Sequence, residues 1–303
     1  MPELEAAAIA AELIAVVVAV ADDRPLVLTI RDARALPSGP FVTGHRSLQA
    51  GVRSWVEAQT HHPLGYVEQL YTFADPDRAP GAAQRIVSIC YLGLTRQAGG
   101  LSDSGAGWQD WYRYFPWEDR RAPASAAAQE RLLAPLLAWA EAGEDWVTRR
   151  ERHRRVATTF GLDGERWNEE LVLQRYELLW EARLVPEAGG APATPGAAML
   201  HDHRRILATG IARLRAKIKY RPVVFELMPP TFTLLALQRA VEALAGHFLH
   251  KQNFRRLVEQ QDLVEESGGI STGTSGRPAK LFRFKREVLA ERAAAGSKLP
   301  LAR

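Results

Sequence analysis

The sequence has one cysteine, Cys90, in 303 residues. That excludes a disulfide framework and a cysteine-rich zinc site, and it suits a reducing cytoplasm. Long apolar runs are also missing. The stretch from Ala6 to Ala21 is interrupted by Glu12 and closed by Asp22, Asp23 and Arg24, too short and broken for a membrane span. No positive segment precedes it, so a secretory signal is not expected. No internal repeat is evident. What the chain does have is 47% hydrophobic residues, enough for one full core and room for two domains.

The net charge of +4 is unevenly spread. Residues 201–303 carry 19 Lys+Arg against 9 Asp+Glu, and residues 1–200 carry 20 against 26. A basic last third beside an acidic remainder is what a chain with one polyanion-binding domain shows.

Val16 to Val20 and Leu26 to Ile30 are β-branched, apolar runs separated by Asp22-Asp23-Arg24-Pro25, which predicts a hairpin. Ser47 to Gln59 has helical spacing, with Leu48, Val52, Trp55 and Val56 on one side. Tyr66 to Phe73 and Gln84 to Leu94 predict strands, with a loop from Asp75 to Gly81 between them. Trp108, Trp111, Tyr112, Tyr114, Phe115 and Trp117 form an aromatic cluster, suited either to a core or to stacking on a nucleobase. Ala122 to Leu184 reads as helical throughout with one break, at Phe160 to Gly164. The basic run Arg149 to Arg155 within it contains both signs and reads as a solvated face. Pro186 to Pro195 reads as a linker, and a helix is expected over His201 to Lys219.

From there the order of elements is informative. Val223 to Leu227 predicts a short strand, broken by Met228-Pro229-Pro230. Thr231 or Thr233 can cap a helix running to Ala245-Gly246. A short turn leads to a second helix over Lys251 to Gln260, with Phe254, Leu257 and Val258 inward. Two helices joined around a glycine are the helix-turn-helix pattern. Leu263 to Glu265, a glycine-rich tip and Leu281 to Phe284 then complete a β-wing. The reading is a winged helix-turn-helix that binds duplex DNA. Its candidate contacts are Lys251, Gln252, Asn253, Arg255 and Arg256 on the second helix, and Thr274, Arg277 and Lys280 on the wing. A small appendage that mediates dimerisation is the competing reading of the same pieces.

A second pattern begins at Gly39. Set against the Nudix box, the first glutamate position is His45, the arginine is Arg53, and the glutamate after it is Ser54. The paired glutamates are Glu57 and Ala58, and the closing glycine is Thr60. The spacing and the arginine survive, but one carboxylate of four remains, too few oxygen ligands for a hard divalent cation.

The stretch Tyr66 to Arg78, the dipeptide Asp202-His203 and Arg213 to Ile218 resemble the Nudix-related transcriptional regulators of NAD metabolism. The resemblance is strongest over Phe225 to Leu234, Asn253 to Arg256 and Gly276 to Phe284, and a longer alphaproteobacterial branch matches better than the short form. It implies an α+β chain: a degenerate Nudix-like α/β sandwich over 1–121, a helical insertion and linker over 122–199, and a connecting helix with the winged helix over 200–303. It also implies a homodimeric, cytoplasmic, nucleoid-associated repressor of NAD biosynthesis genes that is not an enzyme. Its effector would be NAD, ADP-ribose or another adenine nucleotide, with no resident cofactor or metal. Arg53, Glu57, Asp75, Arg78 and Arg85 are the candidate effector residues, with Tyr91 or Trp111 for stacking, because forked guanidinium donors match a pyrophosphate. A Nudix-type pyrophosphate hydrolase acting on ADP-ribose, and an RNA-binding protein, are the rivals from other classes.

Overall fold

The computed structural model describes residues 9–75, 85–97, 105–190, 194–220, 223–271 and 278–285. Among them no helix is long and apolar enough to cross a membrane.

The first unit is a six-stranded mixed sheet between helices. Its strands are β1 (Ile9–Ala21), β2 (Arg24–Thr29), β3 (Ser38–Pro40), β4 (Tyr66–Phe73), β5 (Arg85–Leu94) and β6 (Gly107–Asp110). They lie in the order β4-β5-β1-β2-β6, with β3 also on β1. The long β1 gives one edge to β2 at Val18–Ala21 and to β3 at Glu12–Ile14, while its other edge runs parallel to β5. Successive side chains of a strand face opposite sides. Leu13, Ala15 and Val17 therefore meet Val52 and Val56 of helix α1 (Leu48–Thr60). Ile14, Val16 and Val18 meet Ile206, Leu207, Ile211 and Leu214 of helix α5 (His203–Tyr220). The approach of α5 is close: a Cβ at Gly210 would sit 2.8 Å from Val16. The helix expected to connect two domains is thus also a layer of the first.

Between β6 and α5 the chain builds a three-helix insertion, α2 (Pro123–Glu141), α3 (Trp146–Phe160) and α4 (Val172–Glu181). The single break expected in this stretch becomes two. The unforeseen one, at Ala142–Asp145, ends with Asp145 accepting from Thr148 N as the N-cap of α3. The basic run on α3 is paired as a solvated face should be, Arg154 with Glu151, Arg155 with Glu181 and His153 near Glu141. The expected linker after α4 is packed: Val185 is buried, Thr194 donates to Leu184 O, and Glu187 ion-pairs with buried Arg204. Arg204 lies over the rings of Phe115, Trp117 and Tyr176. Trp111, Tyr112, Tyr114, Phe115 and Trp117 of the aromatic cluster are thus core, with a cation against two of their rings, while Trp108 is half-buried.

The last unit comprises α6 (Leu234–Ala245), α7 (Lys251–Gln260) and the hairpin β7 (Val264–Ser271) and β8 (Ala279–Phe284). Val223–Glu226 is a 3-10 turn rather than the expected strand. Its side chains Val223, Val224 and Phe225 are buried, and its amides close onto their own turn, Leu227 N donating to Val224 O. The third-strand contact falls instead to Phe232, which exchanges two backbone bonds with Phe282.

Candidate nucleic-acid interface and a cleft beside the sheet

The geometry of α7 starts with the helix before it. Thr233 caps α6 by accepting from Ala236 N at 3.1 Å, and Gly246, at φ 77°, ends it. Only glycine fits there, because a Cβ would meet Glu118 O at 2.3 Å. In the turn that follows, buried Glu242 accepts from Leu249 N at 2.9 Å and from Gln238 Nε2 at 2.8 Å. Gln238 Nε2 also donates to Leu249 O. The turn is thereby tied to α6, which fixes the entry angle of α7.

Phe254 and Val258 anchor α7 in the core, whereas Leu257, expected inward, is 51% exposed at the margin of the buried face. Lys251, Gln252, Asn253, Arg255 and Arg256 all project into solvent. Among the described residues the three cations have no ion pair, so their full charge faces outward. The wing is different. Lys280 pairs with Glu266 at 2.7 Å, Arg283 with Glu265 at 2.7 Å and Lys285 with Asp262 at 2.5 Å. The expected phosphate contact Lys280 is therefore held by an acid of its own hairpin. Thr274 and Arg277 lie outside the described residues.

A cleft of about 360 Å³ opens between the sheet and the start of α5. The sheet supplies Glu12, Ser38 and Ser88, and the far wall supplies Arg31, His201, Asp202 and His203. Two chain segments are stitched to form that wall: Leu200 N donates to Arg34 O at 2.7 Å, and Leu36 N to His203 Nδ1 at 2.9 Å. Because Nδ1 accepts, the ring proton sits on Nε2. Burial pushes the His203 pKa down to about 3, with His201 and Arg31 adding to it. The imidazole is thus a neutral donor in a polar cleft. Arg31, Asp32 and Ala33 are all left-handed, at φ 53°, 56° and 66°. Such a run costs roughly 1–2 kcal/mol per non-glycine residue. It is sustained by the Ile30–Ala35 bridge and by Tyr114 donating to Ala33 O at 2.6 Å. The strained turn presents Arg31, which has no ion pair among the described residues, to the cleft.

Of the effector candidates, Asp75 lines this cleft and is paired with Arg205 at 2.8 Å. Arg85 sits next to the cleft-lining Ile86 and donates to Ala74 O. Arg53 and Glu57 belong to α1, on the opposite face of the sheet; Arg53 spends its guanidinium on the carbonyls of Leu64 and Gly65, while Glu57 is exposed. Tyr91 and Trp111 require correction. They are 2% and 0% exposed, one packed in the core under α1 and the other in the core under α5, and neither ring has a face open for stacking. Arg78 lies outside the described residues. Sequence reasoning missed Arg31, His201 and Ser88. Glu12 was visible as the charge that interrupts an apolar strand, a signal read only as a break.

Comparison with known proteins matches residues 224–284 to the NrtR DNA-binding winged helix domain. The ADPR responsive transcriptional repressor NtrR of Acinetobacter baylyi is 42% identical over 83 residues, 27% of this chain and 33% of that protein. The match thus spans one third of this curated relative's length. The crystal structure of Shewanella oneidensis NrtR complexed with a 27mer DNA superposes with a TM-score of 0.56 at 22% identity, covering 92% of this chain and 95% of that one. A MutT/nudix family protein from Enterococcus faecalis gives 0.52 at 16% identity, covering 94% and 89%. In fold the chain is a Nudix-like α/β sandwich that carries a winged helix, and residues 224–284 match the NrtR DNA-binding winged helix domain.

Proposed function

We propose that this protein is a homodimeric, cytoplasmic transcriptional repressor of NAD biosynthesis genes, and that an NAD-related nucleotide held in a non-catalytic Nudix-like domain controls its grip on DNA. The observation that carries the reading is the 42% identity to an ADP-ribose-responsive repressor, set beside α7 with its outward Lys251, Arg255 and Arg256. The cleft supplies the chemistry for the effector. Arg31, His201 and the His203 donor suit a diphosphate, and Glu12, Asp75 and Asp202 suit the hydroxyls of a ribose. Its volume falls within the usual range for ligand pockets. The Nudix positions hold His45 in the loop before α1 and Ser54, Glu57 and Ala58 on it, which supports binding without hydrolysis.

Fluorescence titration of duplex fragments upstream of NAD biosynthesis genes, with and without ADP-ribose, tests the proposal. DNA affinity should change with the nucleotide, and Arg31→Ala should weaken nucleotide binding by about tenfold, as loss of one charge-assisted contact does. Nucleotide-independent DNA binding would overturn the control. Release of AMP from ADP-ribose with Mg²⁺, abolished by Glu57→Gln, would overturn the non-catalytic assignment.

A further inference from the structure

The helical insertion has no part in the cleft or in α7, yet it grips α5 at both ends through charge. Beside the cleft, Arg205 of α5 donates from Nε to Glu177 of α4 at 2.5 Å. Nη1 of the same arginine holds Asp75 at 2.8 Å and Asp202 at 3.1 Å, two residues that line the cleft. One cation thus joins the insertion to the ligand site. Ten residues further on, about 15 Å along a helix, Arg215 meets Glu118 at 2.6 Å. Glu118 is shared with Arg175 of α4, also at 2.6 Å, and all three side chains are buried. From this cluster Arg215 Nε donates to Leu244 O at 2.9 Å, and neighbouring Tyr112 donates to Ala243 O at 2.7 Å. Both acceptors are in the last turn of α6, the helix tied to the turn that aims α7. Lys217, two residues beyond the second tie, pairs with Glu68 of β4.

A buried charge cluster resists gradual deformation, because a partner withdrawn from it leaves an uncompensated charge. It transmits displacement as a unit. The tie at Arg205 is partly exposed, and so can exchange partners when the charge beside it changes.

We propose that the helical insertion is the coupling arm of the molecule: α4 carries the state of the cleft from Glu177–Arg205 to Arg175–Glu118–Arg215, and from there to α6 and α7. The proposal rests on the nucleotide-controlled repressor reading. A diphosphate held by Arg31 and His201 adds negative charge to the cleft lined by Asp75 and Asp202, where Arg205 already balances three carboxylates. Arg205 is drawn toward the cleft, its bond to Glu177 is released, and α4 moves against α5. Glu177 is a positioning residue, acting on DNA only through Arg205 and the cluster.

The test uses the full chain with Glu177→Gln, and with Glu181→Gln as control, since Glu181 pairs with Arg155 inside the insertion. Three readouts are taken: ADP-ribose affinity by calorimetry, the ratio of duplex DNA affinities with and without ADP-ribose, and hydrogen exchange in the last turn of α6 without ligand. Glu177→Gln should keep ADP-ribose affinity within about threefold of wild type while reducing the DNA affinity ratio at least about fivefold, a size typical of lost coupling. It should also change exchange at Ala243–Ala245, and Glu181→Gln should do neither. A ratio unchanged by Glu177→Gln overturns the coupling arm. If the wild type itself gives no ratio, the repressor reading falls instead; the exchange readout then decides the coupling, and unaltered exchange overturns it.

Discussion

His203 shows how much of the cleft's chemistry rests on one side chain. Its ring is fixed by the Leu36 N–H and kept neutral by burial, with a pKa of about 3. An unfolded histidine takes up a proton as the pH falls through about 6.5, and the native ring refuses it down to about 3. Stability is therefore lost on acidification across that window, by up to about 1.4 kcal/mol per pH unit. Glu118 loses its contribution in the same direction, at lower pH. Burial alone would raise its carboxyl, but Arg175 and Arg215 outweigh it and bring it below its ordinary value. The stability it contributes is complete above the normal carboxylate range and is lost only below it. Urea unfolding at about pH 7 and about pH 5 therefore brackets the upper part of the His203 loss. The His203→Asn variant, whose side-chain oxygen can still accept from Leu36 N, should lose less stability between the two than wild type. His62, also lowered by burial, adds to the slope, and Asp110, raised by burial, opposes it. An unchanged slope in the variant would mean that the ring is protonated in the fold.

At the scale of elements, α7 is where sequence and structure agree best. Its boundaries, its buried Phe254 and its exposed basic side chains follow from helical periodicity alone. Arg255→Ala and Arg256→Ala should each cost about 1–3 kcal/mol of operator affinity where the side chain reads a base, and should relax the sequence preference there. Gel-shift titrations against operator and scrambled duplexes check both. A wholly uniform loss would assign the residue to phosphate instead. Other elements were legible in part. The strand β5 announced itself because Ile86 to Leu92 is apolar and strand-forming on both faces. Val223–Glu226 has the same composition but not the same outcome, because no neighbouring strand offers it a ladder and it closes on itself. The break between α2 and α3 was hidden because Ala140 to Ala142 before Gly143 and Glu144 after it all fit a helix. The cleft was the least legible of all. Glu12, Arg31, Ser88 and His201 come from four distant segments, and no periodicity relates them. The left-handed turn that presents Arg31 contains no glycine to signal it.

For the whole molecule, the +10 balance of residues 201–303 overstates what DNA meets. Lys219 is committed to Glu169 and Glu170, Arg215 to Glu118, and Arg205 to three carboxylates, all holding the last third against the rest of the chain. Of the basic residues at the reading surface, Lys280, Arg283 and Lys285 carry acidic partners already. Binding of a polyanion draws its strength from freed counterions. A lysine paired with its own glutamate has few to free, and swaps one anion for another. The logarithm of affinity against the logarithm of salt concentration should therefore fall with a slope set mainly by Lys251, Arg255 and Arg256, near −0.9 for each phosphate they neutralise. Replacing Glu265 and Glu266 by glutamine should steepen that slope and tighten binding at low salt on every sequence alike. The acidic hairpin would then be a device that keeps this protein from lingering on DNA it has no reason to hold.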